Sequence, residues 1–328
     1  MNYRKLGKTG FNISEISIGT WQVGGKWGEK FSNENADKIL NDAIDSGINF
    51  IDTADVYNNG LSELAIGRVL KSRSERIYVA TKCGRRLNPH VDEAYQPDVL
   101  RRFIEDSLKR LKLETIDIIQ LHCPPTEVYY RPEIFELFDR LKLEGKILNL
   151  GVSVAKVEEG LKAIEFPNIS TVQIIFNMFR QRPSELFFKE AVKRDVGIIV
   201  RVPLASGLLT GTYNKNTLFG EGDHRFNNRN GEYFDKGETF SGIDYESGLK
   251  AVEELKLLFS KAENLSPIAL RWILMHQEVS CVIPGASNVL QVDSNLKVLN
   301  TPDLTTAEMI KVKEIYDHSI RQQVHHLW

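Results

Sequence analysis

Eight short apolar runs alternate with helical patterns along this chain, and the alternation limits its fold more than any other feature of the sequence. The runs are EISIGTW (15–21), INFIDTA (48–54), IYVATK (77–82), IDIIQLH (116–122), ILNLGVSV (147–154), TVQIIFN (171–177), GIIVRVPL (197–204) and VSCVIPGA (279–286). Segments between them, such as DVLRRFIEDSLKRLK (98–112), repeat apolar residues at helical spacing. This order indicates parallel βαβ units with strands buried on both faces.

Eight is also the number of strands that closes a (β/α)8 barrel. The sequence therefore predicts an α/β fold of the TIM-barrel class, formed as a single domain by residues 1–328. Such a barrel usually takes about 250 residues, and three further segments account for the remainder. They are an N-terminal hairpin at 3–14 that caps the barrel bottom, an extra helix within 241–265, and a C-terminal helix and tail at 305–328.

Residues 205–242 follow the seventh apolar run and are rich in Gly, Asn, Asp and Lys. A connection of this length is unusual inside a compact domain. At the active rim of a barrel, a long loop often closes over a bound ligand. We therefore expect residues 205–242 to cover a cofactor, with a disordered insertion as the alternative.

Charge and composition argue against several classes of partner. The chain carries a formal net charge of -2, which gives no long-range attraction to nucleic acid or to an anionic membrane. No run approaches the ~20 apolar residues that span a bilayer, and no signal peptide is evident. Cys83, Cys123 and Cys281 form no C-x-x-C pair and fit reduced thiols. We expect a cytoplasmic protein without nucleic-acid or membrane partners, its oligomeric state left open.

Ionisable residues stand at or just after the ends of three apolar runs. Asp52 and Tyr57 belong to FIDTADVY, Lys82 ends IYVATK, and His122 ends DIIQLH. Taken singly, each is more often a cap or an ion-pair partner. Barrel active sites lie at the carboxyl ends of the strands, however, so the four side chains are expected to converge.

Together these residues can deliver a proton to a carbonyl oxygen without a metal. Tyrosine has an ordinary pKa of about 10, and an ammonium on Lys82 would stabilise the Tyr57 phenolate. Asp52 would pair with Lys82, and His122 would add a hydrogen-bond donor or a general acid. None of them donates hydride, so reduction requires a hydride-carrying cofactor, most simply a reduced nicotinamide.

The chain resembles the aldo-keto reductase family over nearly its whole length. The motifs that carry the resemblance are FIDTADVYNNG, VATK, LH and GVS in this order, followed by VPLASGLLTG and IPGASNVLQVDSNL. The resemblance implies an NAD(P)H-dependent enzyme that reduces an aldehyde, a ketone or a sugar to an alcohol, or catalyses the reverse reaction. It implies that Asp52, Tyr57, Lys82 and His122 form a catalytic tetrad, with Tyr57 as general acid in reduction and general base in oxidation.

The resemblance also implies an extended nicotinamide coenzyme across the barrel mouth. Its implied nicotinamide-side contacts are Gly19, Thr20, Trp21, Asp52, Ser153, Gln173 and Arg201. Its implied pyrophosphate contacts are Pro203, Leu204, Ser206, Gly207 and Leu209. Its implied adenosine contacts are Gly285, Ala286, Ser287, Gln291, Ser294 and Asn295.

Three positions depart from the family pattern. Val154 stands where many members have Asn, so one contact to the carboxamide is lost or replaced. Arg201 stands where a tyrosine usually stacks on the nicotinamide, and a guanidinium can either stack there or reach a phosphate. No Lys or Arg lies between residues 281 and 295 to hold a 2'-phosphate, although Ser287, Asn288, Gln291 and a following helix could do so with neutral donors. We favour NADP(H), with NAD(H) as the competitor.

Two other functions stay open as alternatives. A regulatory subunit of the same fold would bind the nucleotide but turn over slowly, and an intact tetrad is compatible with that function. A metal-dependent barrel hydrolase would need several ligands around one ion. The histidines His224, His318, His325 and His326 lie in the loop or the tail instead.

The substrate is a small aldehyde, ketone or sugar on this interpretation. Candidate residues for its pocket are Trp21, Trp27, Tyr57 and Tyr129, with Arg85, Arg86 and Trp328 as candidate neighbours. For Trp27 and Trp328 the alternative to a place in the substrate pocket is a simple packing role.

Overall fold

Eight of the ten strands form one parallel sheet that closes into a barrel. The computed structural model describes residues 1–328. Its strands are β1 Tyr3–Lys5, β2 Asn12–Ser14, β3 Ile18–Gly19, β4 Phe50–Asp52, β5 Tyr78–Cys83, β6 Ile116–His122, β7 Ile147–Ser153, β8 Ile169–Ile175, β9 Gly197–Arg201 and β10 Val279–Val282. The sheet runs in order from β3 to β10, and parallel bridges Ile16–Val282 and Gly19–Gly285 join its two edges. The predicted (β/α)8 barrel is confirmed.

Helices surround the barrel, and every segment with a helical pattern contains one of them. They are α1 Asn33–Asp45, α2 Leu61–Leu70, α3 Pro97–Leu111, α4 Pro132–Leu143, α5 Val157–Ala163, α6 Phe187–Lys193, α7 His224–Asn227, α8 Tyr245–Leu258, α9 Ser266–Leu274, α10 Val289–Leu296, α11 Thr306–Ile315 and α12 Arg321–Val324. The predicted extra helix is α8, and α11 and α12 form the predicted C-terminal helix, joined by a π-helical turn. No helix has both the length and the apolar character that crossing a bilayer requires.

Local sequence signals set where these helices begin and which face they bury. Ser32 caps α1, because its side chain accepts the N–H of Asn35. The buried residues of α3 are Leu100, Ile104, Ser107 and Leu111. They recur every three or four residues, so they share the face of α3 that packs inward.

The barrel interior carries an apolar layer below a polar one. Side chains along each strand alternate between the interior and the surrounding helices. The apolar layer consists of Leu6, Ile13, Phe50, Ala80, Ile118, Ile199, Cys281 and Ile283, all buried. Two residues after four of these, the same face carries Asp52, Lys82, Gln120 and Arg201. The alternation of the strands therefore brings these polar side chains to one rim.

The N-terminal hairpin closes the opposite end of the barrel. β1 and β2 pair antiparallel, and Leu6 and Ile13 enter the apolar layer. The backbone N–H of Lys8 donates to the carbonyl oxygen of Asp195 at 2.6 Å. Since β9 begins at Gly197, this contact lies at the amino-terminal end of the strands, as predicted.

The long segment 205–242 consists of short turns and α7, with its own buried polar contacts. The side-chain oxygen of the buried Asn228 accepts the backbone N–H groups of Tyr233 and Phe234 at 2.8 and 2.9 Å. Its amide nitrogen lies 3.2 Å from Thr239 Oγ1. One asparagine therefore ties together three parts of the segment.

Trp328 packs against both this segment and the barrel. The guanidinium of the buried Arg180 lies 4.1 Å from the centroid of the Trp328 ring. Gly237 and Gly242 approach the same ring so closely that a Cβ would lie 2.9 and 2.5 Å from it. The indole therefore packs between the barrel and the long segment, which is the packing role weighed for Trp328.

We expect Gly7→Ala to destabilise the protein more than Gly10→Ala. Both glycines have a positive φ, +49 and +79, so either substitution strains the backbone by about 1–2 kcal/mol. A Cβ on Gly7 would also lie 2.2 Å from the backbone nitrogen of Gly197, whereas a Cβ on Gly10 meets nothing within 4 Å. Urea denaturation should show an additional loss of about 1–3 kcal/mol for Gly7→Ala. Equal losses would contradict the packing of the hairpin against β9.

Candidate active site

The strand ends bring the four candidate catalytic residues together. Asp52 ends β4, Lys82 lies near the end of β5, and His122 ends β6. Tyr57 follows β4, and its ring centroid lies 5.8 Å from that of His122 in an edge-to-face arrangement. The predicted convergence at the carboxyl rim of the barrel is therefore present in the structure.

A left-handed turn after β4 sets the direction of Tyr57. Asn58 and Asn59 have φ values of +46 and +53, a conformation that asparagine tolerates better than most residues. The side-chain amide of Asn58 donates to the carbonyl oxygen of Trp21 at 3.2 Å. The turn thus holds the Tyr57 ring nearly parallel to the Trp21 ring, with centroids 6.1 Å apart.

The ammonium of Lys82 connects these residues. It donates to Asp52 Oδ1 at 2.5 Å, to the Thr53 carbonyl oxygen at 2.8 Å and to Tyr57 Oη at 3.2 Å. An ammonium has three donors, and each has an acceptor here. Lys82 and Asp52 are both buried, so the pair meets the condition under which buried charges are tolerated.

Two glutamines hold the other oxygen of the Asp52 carboxylate. Gln173 and Gln120 donate to Oδ2 through their amide nitrogens, at 2.7 and 3.1 Å. Ser153 Oγ lies 3.5 Å from the side-chain oxygen of Gln173. Gln173 was predicted as a carboxamide contact, and here its amide nitrogen is engaged by Asp52. Gln120 was not predicted, although it shares the interior face of β6 with His122.

Burial and charge act in opposite directions on Tyr57. Burial raises the pKa of Tyr57 above its ordinary value, and the nearby Lys82 ammonium opposes that rise without cancelling it. Burial alone would lower the pKa of Lys82, but attraction to Asp52 and Tyr57 outweighs it, and the pKa of Lys82 is raised. Lys82 thus acts on Tyr57 in the predicted direction, while both groups keep their protons at neutral pH.

His122 is held in its neutral form. Burial lowers the pKa of His122 well below its ordinary value, and the positive charges of Lys82, Arg85 and Arg201 lower it further. Its Nδ1 is buried and has no hydrogen-bond partner in the protein. Of the two roles predicted for His122, the electrostatics favour the neutral hydrogen-bond donor over the general acid.

One cavity extends from the catalytic candidates along the rim to α10. Its lining includes Tyr57 and His122 among the catalytic candidates, and it also includes Ser294 of α10. The predicted cofactor contacts that line it are Gly19, Thr20, Trp21, Asp52, Gln173, Arg201, Pro203, Leu204, Ser206, Gly207, Gly285, Gln291, Ser294 and Asn295. An extended groove with polar donors along it fits a dinucleotide.

Four predicted cofactor contacts lie outside this lining. Leu209 and Ala286 are buried in the hydrophobic core, and Ser153 is buried beside Gln173. The backbone N–H and the hydroxyl of Ser287 both donate to the side-chain oxygen of Gln291, at 2.7 and 3.1 Å. These side chains therefore support the cavity wall from behind.

Glu238, a charged residue of the long segment that was not predicted, belongs to the cavity lining. Glu238 lines the cavity and accepts a hydrogen bond from Arg85 at 3.2 Å. Its other oxygen lies 3.8 Å from the guanidinium of Arg201. Nothing in the local sequence of residues 205–242 indicates these pairs, because Glu238 lies far along the chain from both arginines.

The guanidinium of Arg201 lies at the catalytic end of the cavity. It donates to the Val154 carbonyl oxygen at 3.1 Å and contacts Cys123 Sγ at 3.5 Å. Val154 and Cys123 directly follow β7 and β6, beside His122. Arg201 therefore lies near the candidate catalytic residues.

A second guanidinium lines the cavity on the side of the long segment. Arg225 binds the carboxylate of Asp223 with both Nε and Nη2, and it also donates to the Tyr213 hydroxyl. Tyr213 and Gly207 line the same part of the cavity, since a Cβ on Gly207 would meet the Tyr213 ring at 2.8 Å. Arg225 is therefore a cation in the lining whose charge Asp223 balances.

Aromatic rings form a wall next to Tyr57. The ring centroid of Trp21 lies 5.1 Å from Trp27, 5.0 Å from His224 and 5.9 Å from Phe234. Trp27 lines the cavity, as the substrate interpretation expects, and His224 and Phe234 were not predicted. Burial lowers the pKa of His224 to about 4, so this ring is neutral.

The remaining candidates for the substrate pocket lie elsewhere. Tyr129 is completely buried and does not line the cavity. Arg86 binds the Asp55 carbonyl oxygen and the Asn59 side chain, outside the lining. Arg85 does not line the cavity, but it contacts Glu238, and its guanidinium lies 5.6 Å from the centroid of the Phe234 ring.

Comparison with known proteins identifies a family model that matches nearly the whole chain. The model of the Aldo/keto reductase family matches residues 15–317. An NADH-specific methylglyoxal reductase of Escherichia coli is 28% identical over 94% of this chain and 97% of its own. An aldo-keto reductase of Schizosaccharomyces pombe named for NADP(+) is 27% identical over 96% of this chain and 92% of its own.

Solved structures give the same result in three dimensions. A glycerol dehydrogenase from Gluconobacter oxydans superposes with a TM-score of 0.76 and 28% identity, covering 97% of this chain and 96% of that one. The match to the family model covers far more than half of the chain, and its motifs occupy one rim of a barrel. The chain therefore belongs to the aldo/keto reductase family and is an NAD(P)-dependent oxidoreductase.

Proposed function

We propose that this oxidoreductase reduces an aldehyde or ketone with Tyr57 as general acid, and oxidises the alcohol with Tyr57 as general base. The observation that carries the proposal is the position of the Lys82 ammonium between Asp52 and Tyr57, at 2.5 and 3.2 Å. A phenol whose conjugate base faces a fixed ammonium can release its proton at neutral pH when a stronger base develops beside it. Tyr57 also lines the cavity, so a substrate oxygen can reach it.

Each side chain of the tetrad has a distinct part in the reaction. A reduced nicotinamide, when bound, supplies the hydride. The neutral His122 ring donates a hydrogen bond to the carbonyl oxygen and fixes its direction toward Tyr57. Tyr57 transfers its proton to that oxygen, and Lys82 stabilises the phenolate that is left. Asp52 keeps the buried ammonium charged throughout.

For the coenzyme we propose NADP(H), with NAD(H) as the competing choice. The segment 281–295 contains no Lys or Arg, so a 2'-phosphate would be held there by neutral donors and the start of α10. Gln291 accepts from Ser287 through Oε1, which leaves its amide nitrogen for a ligand. Arg225 adds a cation to the same cavity lining.

The coenzyme would lie along the predicted contacts from β3 to α10. In this proposal Gly19, Thr20 and Trp21 border its nicotinamide, residues 203–207 border its pyrophosphate, and residues 285–295 border its adenosine. Residues 205–242 act as its cover.

We further propose that residues 1–328 form one domain and that the protein is cytoplasmic. The three unpaired cysteines support a reducing compartment.

A small polar carbonyl compound or its alcohol is the proposed substrate. The wall formed by Trp21, Trp27, His224 and Phe234 provides apolar ring faces beside Tyr57. The relatives named for methylglyoxal and for glycerol act on molecules of this size. Steady-state oxidation of NADPH with a panel of aldehydes distinguishes this enzyme from a regulatory subunit with slow turnover. In a regulatory subunit, NADPH oxidation would stall after one equivalent of coenzyme.

Tyr57→Phe should lower turnover by at least about 100-fold, because it removes the proton that general acid catalysis supplies. The ring and its packing on Trp21 are retained, so coenzyme binding should stay near the wild-type value. Turnover is measured by coenzyme oxidation with an aldehyde. Near-normal turnover in this variant would refute the role of Tyr57.

Fluorescence titration with NADPH and NADH side by side provides the control. Equal binding in wild type and Tyr57→Phe shows that the substitution affects chemistry alone. The same titration measures the coenzyme preference, and tighter binding of NADH in the wild type would overturn the choice of NADP(H).

The rate of reduction should be flat from about pH 6 to pH 9. His122 has a pKa well below its ordinary value, so it gains no proton in this range. The pKa of Tyr57 is raised, so the phenol keeps its proton across the range. Single-turnover rates check this, and His122→Asn, which keeps a donor that cannot titrate, should give the same flat profile. A limb with its midpoint near pH 6.5 in the wild type alone would contradict the neutral form of His122.

Coenzyme should protect residues 205–242 from trypsin, because a covering segment loses its local opening when the ligand fills the groove. Lys215 and Arg229 are exposed cleavage sites within the segment, and Lys261 is an exposed site outside it. Cleavage at the first two should slow with NADPH while cleavage at Lys261 does not. Unchanged cleavage at all three would reject the cover.

A further inference from the structure

Three charged side chains meet at the catalytic end of the cavity and leave one positive charge in excess. Glu238 lies 3.2 Å from Arg85 and 3.8 Å from Arg201. Burial raises the pKa of Glu238, but the two guanidiniums outweigh burial, and its pKa is lowered. Glu238 is therefore ionised and balances one of the two arginines. We call these three residues the arginine cluster.

The neighbouring groups do not supply the missing negative charge. Lys82 and Asp52 form a closed pair at 2.5 Å. His122 and His224 both have lowered pKa values and are neutral. Asp223 is bound to Arg225. Arg180 is also buried near Arg201 and adds positive charge. The catalytic end of the cavity therefore carries an excess of positive charge.

Arg201 carries this charge at a fixed position that faces the cavity. Its side chain is 10% exposed, and it lines the cavity with Tyr57 and His122. The hydrogen bond to the Val154 carbonyl oxygen fixes the guanidinium, while its Nε has no partner in the protein. A buried charge without a full counterion acts strongly on any charge that forms nearby.

The reaction forms such a charge in this place. In the proposed reaction one proton and two electrons would move together, as hydride, from a bound reduced nicotinamide to the carbonyl carbon, and Tyr57 would give a second proton to the oxygen. The nicotinamide ring is neutral before it gives up hydride, and it carries one positive charge afterwards. The carbonyl oxygen must reach Tyr57 and His122, and the hydride donor must lie about 3–3.5 Å from the carbonyl carbon. A bound nicotinamide ring would therefore lie at the end of the cavity that contains the arginine cluster.

We propose that Arg201, with Glu238 as its partial counterion, sets the redox balance of the bound coenzyme by weakening the oxidised form relative to the reduced form. The inference rests on the proposed function, since it requires a nicotinamide at this site. An aromatic side chain at position 201 would stack on either form of the ring with no net charge. A guanidinium distinguishes the two forms, because like charges in a partly dehydrated site repel.

Two consequences follow for catalysis. With the charge of Arg201 the bound coenzyme is a weaker reductant than it would be without that charge, so the balance on the enzyme shifts toward oxidation of the alcohol. The oxidised coenzyme is also held less tightly, which favours its release after a carbonyl is reduced. Glu238 limits both effects, and because the long segment carries it, the position of that segment adjusts them.

The test measures Kd for the oxidised and the reduced coenzyme separately, by calorimetry on the purified protein without substrate. Arg201→Gln removes the charge but keeps a donor for the Val154 carbonyl oxygen. We expect the ratio of the oxidised to the reduced Kd to fall by about tenfold or more. Glu238→Gln removes the counterion, and the same ratio should rise several-fold. Opposite changes in the two variants are a signature that a packing role would not produce.

Two further variants serve as controls. Arg201→Lys keeps the charge and should leave the ratio close to that of the wild type. Arg225→Gln combined with Asp223→Asn removes both charges of a closed ion pair, so it leaves the net charge unchanged and should change both Kd values by the same factor. Thermal unfolding shows which variants are folded, and the ratio is compared among those.

The outcomes separate this inference from the proposed function. If the wild type binds neither NADPH nor NADH, the proposed function fails. If it binds a coenzyme but the ratio is the same in Arg201→Gln and the wild type, the proposed function stands and the inference is overturned. Changes of the same sign in Arg201→Gln and Glu238→Gln would also overturn it, because they would show that charge is not the cause.

Discussion

The rest of the site depends on the three hydrogen bonds of one buried ammonium. Lys82 is fully buried and donates to Asp52, Thr53 and Tyr57. Removing one partner of a buried ion pair costs about 3–5 kcal/mol, because the other charge is left without compensation. The arrangement thus fixes the positions of a carboxylate, a backbone turn and a phenol at once. It joins β5 to the end of β4, and it thereby fixes the direction of the Tyr57 phenol.

The strand pattern made the main part of this arrangement predictable. Side chains that alternate along a strand share a face at every second residue, and Asp52 and Lys82 each stand two residues after an apolar interior residue, Phe50 and Ala80. The same rule applied to β6 would have identified Gln120, two residues before His122. The barrel and the convergence of Asp52, Lys82 and His122 could therefore be predicted from local information, and Gln120 was overlooked although its signal was present.

The lining of the cavity was predictable only in part, because a motif fixes the path of the backbone better than the direction of each side chain. Gly207 and Gly285 line the cavity as expected. Leu209 turns into the core instead, and the donors of Ser287 are engaged by Gln291. Glu238 had no local signal, since its partners Arg85 and Arg201 follow other strands and the ion pairs exist only after the long segment has folded.

Dehydration gives the site its asymmetry of charge. Burial keeps His122 uncharged and raises the pKa of Tyr57, because a dry site disfavours any ion without a partner. The same dryness makes the ions that remain more effective, since their fields are less screened. Lys82 acts on a charge that forms on Tyr57, and Arg201 acts on a charge that forms on the hydride donor. The two cations have opposite effects on reduction. Lys82 stabilises the phenolate that reduction leaves on Tyr57, whereas Arg201 destabilises the oxidised nicotinamide ring that reduction leaves. Glu238 weakens only the effect of Arg201, so a residue of the long segment 205–242, and not of the barrel, decides how far the chemistry favours one direction.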